Sequence, residues 1–82
     1  MLMGKVVGNI VSTRKNENMV GSKILEIRLI EEHQETNKYI IAIDSVGAGI
    51  GEIVLITTGS GARLALSNRE TPVDAVVVGI VD

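Results

Sequence analysis

The sequence predicts a small all-β domain, a closed or partly open five-stranded barrel carrying one short helix. Three observations predict it: five short runs rich in β-branched aliphatic residues, glycine-punctuated loops between them, and only one segment that favours helix. Five of the nine glycines lie between Asp44 and Arg63. Clustering Gly47, Gly49 and Gly51 between two apolar runs implies a backbone that turns tightly or approaches something closely.

Residues 3 to 12 read as the first strand, with Gly8 marking a bend or bulge. Thr13 to Ser22 follows as a polar loop. Residues 24 to 31 alternate, Leu25, Ile27 and Leu29 against Glu26 and Arg28, as a half-buried second strand does. The polar stretch Glu32 to Asn37 is expected to turn the chain. Lys38 to Asp44 then forms a third strand, whose unbroken apolar run predicts burial on both faces. After the glycine loop come a fourth strand, Glu52 to Thr58, and a fifth, Val73 to Val81, bent at Gly79.

The helical segment is Gly61 to Leu66, at most two turns, with Ser60 as its N-cap. Arg63 stands where a capping box would place Glu or Gln, and a cation there opposes the helix dipole. It is therefore expected to have a carboxylate partner, with Asp44, Glu52 and Asp74 as candidates.

With 82 residues the chain is one domain, 1–82, able to bury only about 60 to 65% of its unfolded surface. Yet 45% of its residues are hydrophobic, more than so small a body can hide alone. Burial against further copies of itself is the natural remedy. Tyr39 is the sole aromatic and the net charge is −2, against both the stacking platforms and the basic track that nucleic acid requires. No cysteine and a single His33 leave no set of thiolate or imidazole metal ligands. The first residues do not read as a signal peptide, and the longest uncharged stretch is about half the ~20 residues of a membrane span. A cytoplasmic protein without a membrane partner is expected.

Enzymatic motifs fail on spacing. The glycine run is Gly-x-Gly-x-Gly with Glu52 in place of a dinucleotide fingerprint's third glycine, and it leads into a strand where phosphate cradling needs a helix. No Walker loop is present. Ser60 has glycines beside it, whereas a nucleophile elbow has them two residues away. His33 lies in a polar turn without an orienting partner, and the carboxylates match no calcium loop. No catalytic, cofactor-binding or metal-binding residue is assigned. Arg14 and Lys15 would form an anion-binding patch only if several copies added their potentials.

In order along the chain, Gly4-Lys5-Val6-Val7-Gly8, Thr13-Arg14-Lys15, Gly21-x-Lys23-x-Leu25, Asp44-x-Val46-Gly47-Ala48-Gly49-x-Gly51-Glu52, Gly59-Ser60-x-Ala62-Arg63 and Val73-Asp74-Ala75 to Asp82 resemble the EutN/CcmL family. These are the pentameric vertex proteins of bacterial microcompartment shells, carboxysomes included. Departures are slight: Gly61 stands where Ser or Ala would hold the helix start better, and Met19 replaces a more usual Leu.

The resemblance implies a barrel similar to the oligonucleotide/oligosaccharide-binding fold, assembled as a cyclic homopentamer that fills the corners of a shell whose facets are hexameric proteins. It implies a structural protein without cofactors, located in a microcompartment shell in the cytoplasm. On this reading Gly47, Ala48, Gly49, Ile50, Gly51 and Glu52 form a loop near the five-fold axis. Crowding there demands small side chains, and Glu52 would place a ring of carboxylates nearby. Thr13, Arg14, Lys15, Asp44, Ser60, Arg63 and Asp74 are expected to fix the barrel or the subunit contacts. The competing expectation is a small barrel that binds an oligonucleotide or a small anion.

Overall fold

The computed structural model describes residues 1–10, 23–59 and 74–82. They form five strands: β1 (Leu2–Ile10), β2 (Ile24–Glu31), β3 (Gln34–Asp44), β4 (Ile53–Thr58) and β5 (Ala75–Val81). The strands close into a barrel in the order β1-β2-β3-β5-β4. All neighbours are antiparallel except β3 and β5, which meet in parallel through Ile43↔Val76 and Asp44↔Val77. The all-β class and the five-stranded barrel are as expected; the expected helix, Gly61 to Leu66, lies outside the described residues.

The alternation in β2 does what its pattern predicts. Leu25, Ile27 and Leu29 point inward with Val6, Val54, Ile56, Ala75 and Val77 to form the core, while Glu26 and Arg28 face outward. Each fully buried Leu or Ile side chain contributes about 1.5–3 kcal/mol relative to an exposed one. Aliphatic side chains with few rotamers suit so narrow a barrel, where β-branched residues already fit the pleated wall.

The expected irregularities are present. Val6↔Ile27 is followed by Gly8↔Glu26, so Val7 is an extra residue in β1 beside Gly8. Leu55↔Gly79 is followed by Ile56↔Val77, which leaves Val78 bulged beside Gly79. Such bulges raise local twist, which a five-stranded wall needs in order to close. Gly4 meets a different demand. A Cβ there would collide with Ile27 Cγ2 and lie 2.8 Å from the Arg28 carbonyl oxygen.

Two expectations are corrected. The turn after β2 is not six residues but two: Glu31 pairs with Gln34, and Glu32 and His33 both take positive φ, 53° and 65°. That backbone is characteristic of tight hairpins and is usually supplied by Asn-Gly, so Glu-His hides the turn within a polar run. Gln34 to Asn37 therefore belong to β3. A register irregularity lies between Arg28 and Ile30. There the Arg28 guanidinium donates to the Thr36 carbonyl and to Asn37 Oδ1 (3.1 Å), and the Thr36 hydroxyl donates to the Leu29 carbonyl (2.8 Å).

The second correction concerns burial of β3. Ala42 and Ile43 are buried, but Tyr39 and Ile41 on the outer face are 50% and 51% exposed. An apolar run reports preference for burial; a single subunit supplies the covering for only part of this one.

Candidate functional site

The glycine loop starts where β3 ends. Asp44 turns its carboxylate back under the following residues: Oδ1 accepts the amides of Val46 (3.1 Å) and Gly47 (3.2 Å), and Oδ2 accepts that of Ala48 (3.0 Å). The side chain is only 3% exposed. Burial of a carboxylate is costly unless it is hydrogen-bonded and paired. Here three amides supply the bonds and Lys23 Nζ, 4.0 Å from Oδ2, supplies the charge. The same ammonium donates to the Ala48 carbonyl at 2.5 Å, while the Asp44 amide donates to the Lys23 carbonyl at 2.9 Å. The entrance to β2 and the exit of β3 are thus tied together around one loop.

The second half of the loop is closed by Glu52. Its Oε1 accepts the Gly49 amide at 2.6 Å, and its own amide donates to the Gly49 carbonyl at 3.2 Å. Gly51 donates to the Val6 carbonyl (2.8 Å), and Val6 donates to the Glu52 carbonyl (3.0 Å), which stitches this half to β1. Ser45 donates through both its amide and its hydroxyl to the Val77 carbonyl, at 3.3 and 2.6 Å, which stitches the first half to β5. Ala48 is fully buried in the barrel core, so its small side chain has a reason within the subunit.

Gly47 and Gly51 have φ of 82° and 92°, backbone that residues with a Cβ rarely adopt, whereas Gly49 does not lie in that region. Outward the loop presents apolar side chains beside the exposed Ser45 and Glu52. Val46 is exposed, and Ile50, at 63%, is its most exposed large hydrophobic side chain.

This arrangement speaks against anion binding. The amides of residues 46 to 49, which a phosphate would need, already donate to Asp44 and Glu52. Glu52 gives one carboxylate oxygen to the loop and, being exposed, keeps a negative charge at its surface that an anion would meet. Among the described residues no group of three or more His, Cys, Asp or Glu could hold a metal ion, and no helix is long and apolar enough to cross a membrane.

Of the residues singled out from the sequence, Gly47 to Glu52 and Asp44 come together in one bonded unit. Asp74 lies at the foot of β5, where its carbonyl accepts the Gly59 amide at 2.8 Å and joins the ends of β4 and β5. Thr13, Arg14, Lys15, Ser60 and Arg63 lie outside the described residues. Lys23 and Ser45 were missed as contributors. Lys23 is 25 positions from Ala48, and only the barrel register brings them together.

Comparison with known proteins gives one answer throughout. The sequence model of the family described as "Ethanolamine utilisation protein EutN/carboxysome" matches residues 1–82. The chain is 46% identical to the bacterial microcompartment shell vertex protein GrpN of Rhodospirillum rubrum, over the whole of this chain and 93% of that one. It is 47% identical to the carboxysome shell vertex protein CcmL of Gloeobacter violaceus, over the whole chain and 83% of the relative. Among solved structures it resembles Gloeobacter violaceus CcmL with a TM-score of 0.94, covering all of this chain and 86% of that one. The pentameric microcompartment shell protein GrpN of Rhodospirillum rubrum superposes with a TM-score of 0.90 at 42% identity, covering 100% and 94%.

Proposed function

The chain belongs to the EutN/CcmL family, and from that premise we propose that it is the structural subunit of a pentameric vertex that closes a bacterial microcompartment shell around its enzymes. The observation that carries this reading is the end-to-end likeness to a pentameric shell protein. The composition supports it. A barrel this small leaves Tyr39, Ile41, Val46, Ile50 and Val81 exposed, and a ring of copies gives such surface a destination.

Five-fold rings belong at the corners of a polyhedral shell, so the implied partners are four further copies and hexameric facet proteins. The glycine loop is assigned to the neighbourhood of the five-fold axis. Its tethered backbone and its lack of side chains at Gly47, Gly49 and Gly51 suit close approach of five copies. Glu52, exposed and bonded to Gly49 through one carboxylate oxygen, would place a ring of carboxylates near the axis beside Ile50. The alternative of a ligand-binding barrel loses ground because the loop amides are already occupied.

Native mass spectrometry of the purified chain tests the reading. Five times the 8.7 kDa subunit mass is expected, and a monomer would defeat it. For the loop, Gly49→Leu is expected to break the ring or prevent shell closure on co-expression with facet proteins; unchanged assembly would remove the loop from the axis.

A further inference from the structure

Strand β3 is paired with β2 along its length, but on its other side pairs with β5 only through Ile43 and Asp44. Among the described residues the edge from Gln34 to Ala42 has no other strand beside it. On the outer face of this stretch Tyr39 and Ile41 stand half in water. Their cross-strand neighbours are charged: Arg28 opposite Tyr39, with its guanidinium 5.9 Å above the ring, and Glu26 opposite Ile41.

A second apolar spot lies elsewhere on the wall. Val81 on β5 is 41% exposed and pairs with the partly buried Ile53 of β4. The register links the two spots. Val81, Ile53, Lys5, Arg28 and Tyr39 form one continuous cross-strand row through β5, β4, β1, β2 and β3. Its ends are apolar and its middle is cationic, and the seam between β3 and β5 is closed at another level, by Ile43 and Asp44.

Two different apolar ends on one subunit are what a cyclic ring requires, because each interface joins one patch to a different patch of the next copy. A two-fold dimer would instead favour one self-complementary patch. We propose that Tyr39 and Ile41 of one subunit seat against Val81 and Ile53 of the next, so that the occupant of this face is a second copy of the chain. Both patches carry charges of both signs, Glu26 and Arg28 beside the seat and Lys5 and Asp82 beside the opposite patch, so unlike charges can be matched across the contact. The seat rests on the ring reading above and adds which surfaces form it.

The test is native mass spectrometry of four proteins at one concentration: wild type, Ile41→Asp, Val81→Lys and the double variant. Both positions are exposed, and far-UV circular dichroism checks that each barrel is formed; Ile41→Ser serves if Ile41→Asp does not fold. Each single variant is expected to lose the five-subunit mass, and the double variant to regain it, since the new charges attract across the contact. A wild-type ring that persists in Ile41→Asp or Val81→Lys, or a double variant no better than the singles, overturns the seat while leaving the ring intact. A monomeric wild type overturns the ring reading itself.

Discussion

Asp44 holds Ala48: the carboxylate at the end of β3 accepts the backbone amide four residues on at 3.0 Å, and this bond draws the Ala48 methyl into the barrel core. A polar clamp and a hydrophobic anchor are therefore one device. It tethers a segment whose three glycines would otherwise give the backbone wide freedom.

Removing the clamp should be expensive. Asp44→Ala deletes acceptors for three amides and leaves Lys23 without its counter-charge, so a loss of about 2–4 kcal/mol is expected. Asp44→Asn keeps one acceptor but turns an amide group toward the Ala48 N–H, and should cost less, about 1–2 kcal/mol. Urea unfolding at matched subunit concentration measures both, because assembly contributes to apparent stability. An Asp44→Ala protein as stable as wild type would disprove the clamp.

The three loop glycines should respond unequally. Gly47→Ala and Gly51→Ala force a Cβ into left-handed backbone at a cost of about 1–2 kcal/mol each. Gly49→Ala meets only Glu52 Oε1, at 3.4 Å, and should fall below about 1 kcal/mol. Thermal melting of the three variants side by side gives the ranking; equal losses would contradict it.

Gly4 lies between β2 and β4 with no space for a side chain. Gly4→Ala should push Ile27 from the core and strain the ladder, with a loss of about 1–3 kcal/mol. Denaturant titration of this variant should show a clear drop, whereas Gly8→Ala, whose Cβ would meet only Glu26 Oε1 at 3.8 Å, should show a smaller one.

The hairpin turn offers a gain. His33 holds φ of 65°, so His33→Gly relieves backbone strain and should stabilise by about 0.5–1 kcal/mol after the added freedom of the unfolded chain is deducted. A lower melting temperature for this variant would show that the turn relies on something other than backbone geometry.

Much of the fold was legible because strand pattern is a local property. Leu25, Ile27 and Leu29 announce an inward face by spacing alone, and Gly8 and Gly79 announce bulges because a residue without a side chain suits a bend. The two-residue turn at Glu32 and His33 was not legible, since neither residue carries the usual signature of positive φ. Nor could the apolar run of β3 tell burial within the subunit from exposure awaiting a neighbour. Hydrophobicity states that Tyr39 and Ile41 avoid water; it does not state which surface covers them.

The sequence by itself determined five strands, the all-β class, the special backbone of the glycine loop, its failure to match nucleotide motifs, and the resemblance to a vertex family. Only the tertiary structure decided what the loop's charges do. Asp44 is joined to Lys23 and Glu52 to Gly49, and the wall of β1 and β5 receives the loop through Val6 and Val77. The reason is physical: a strand's periodicity is written in neighbouring residues, whereas a carboxylate's partner depends on barrel register, which joins positions far apart in the chain.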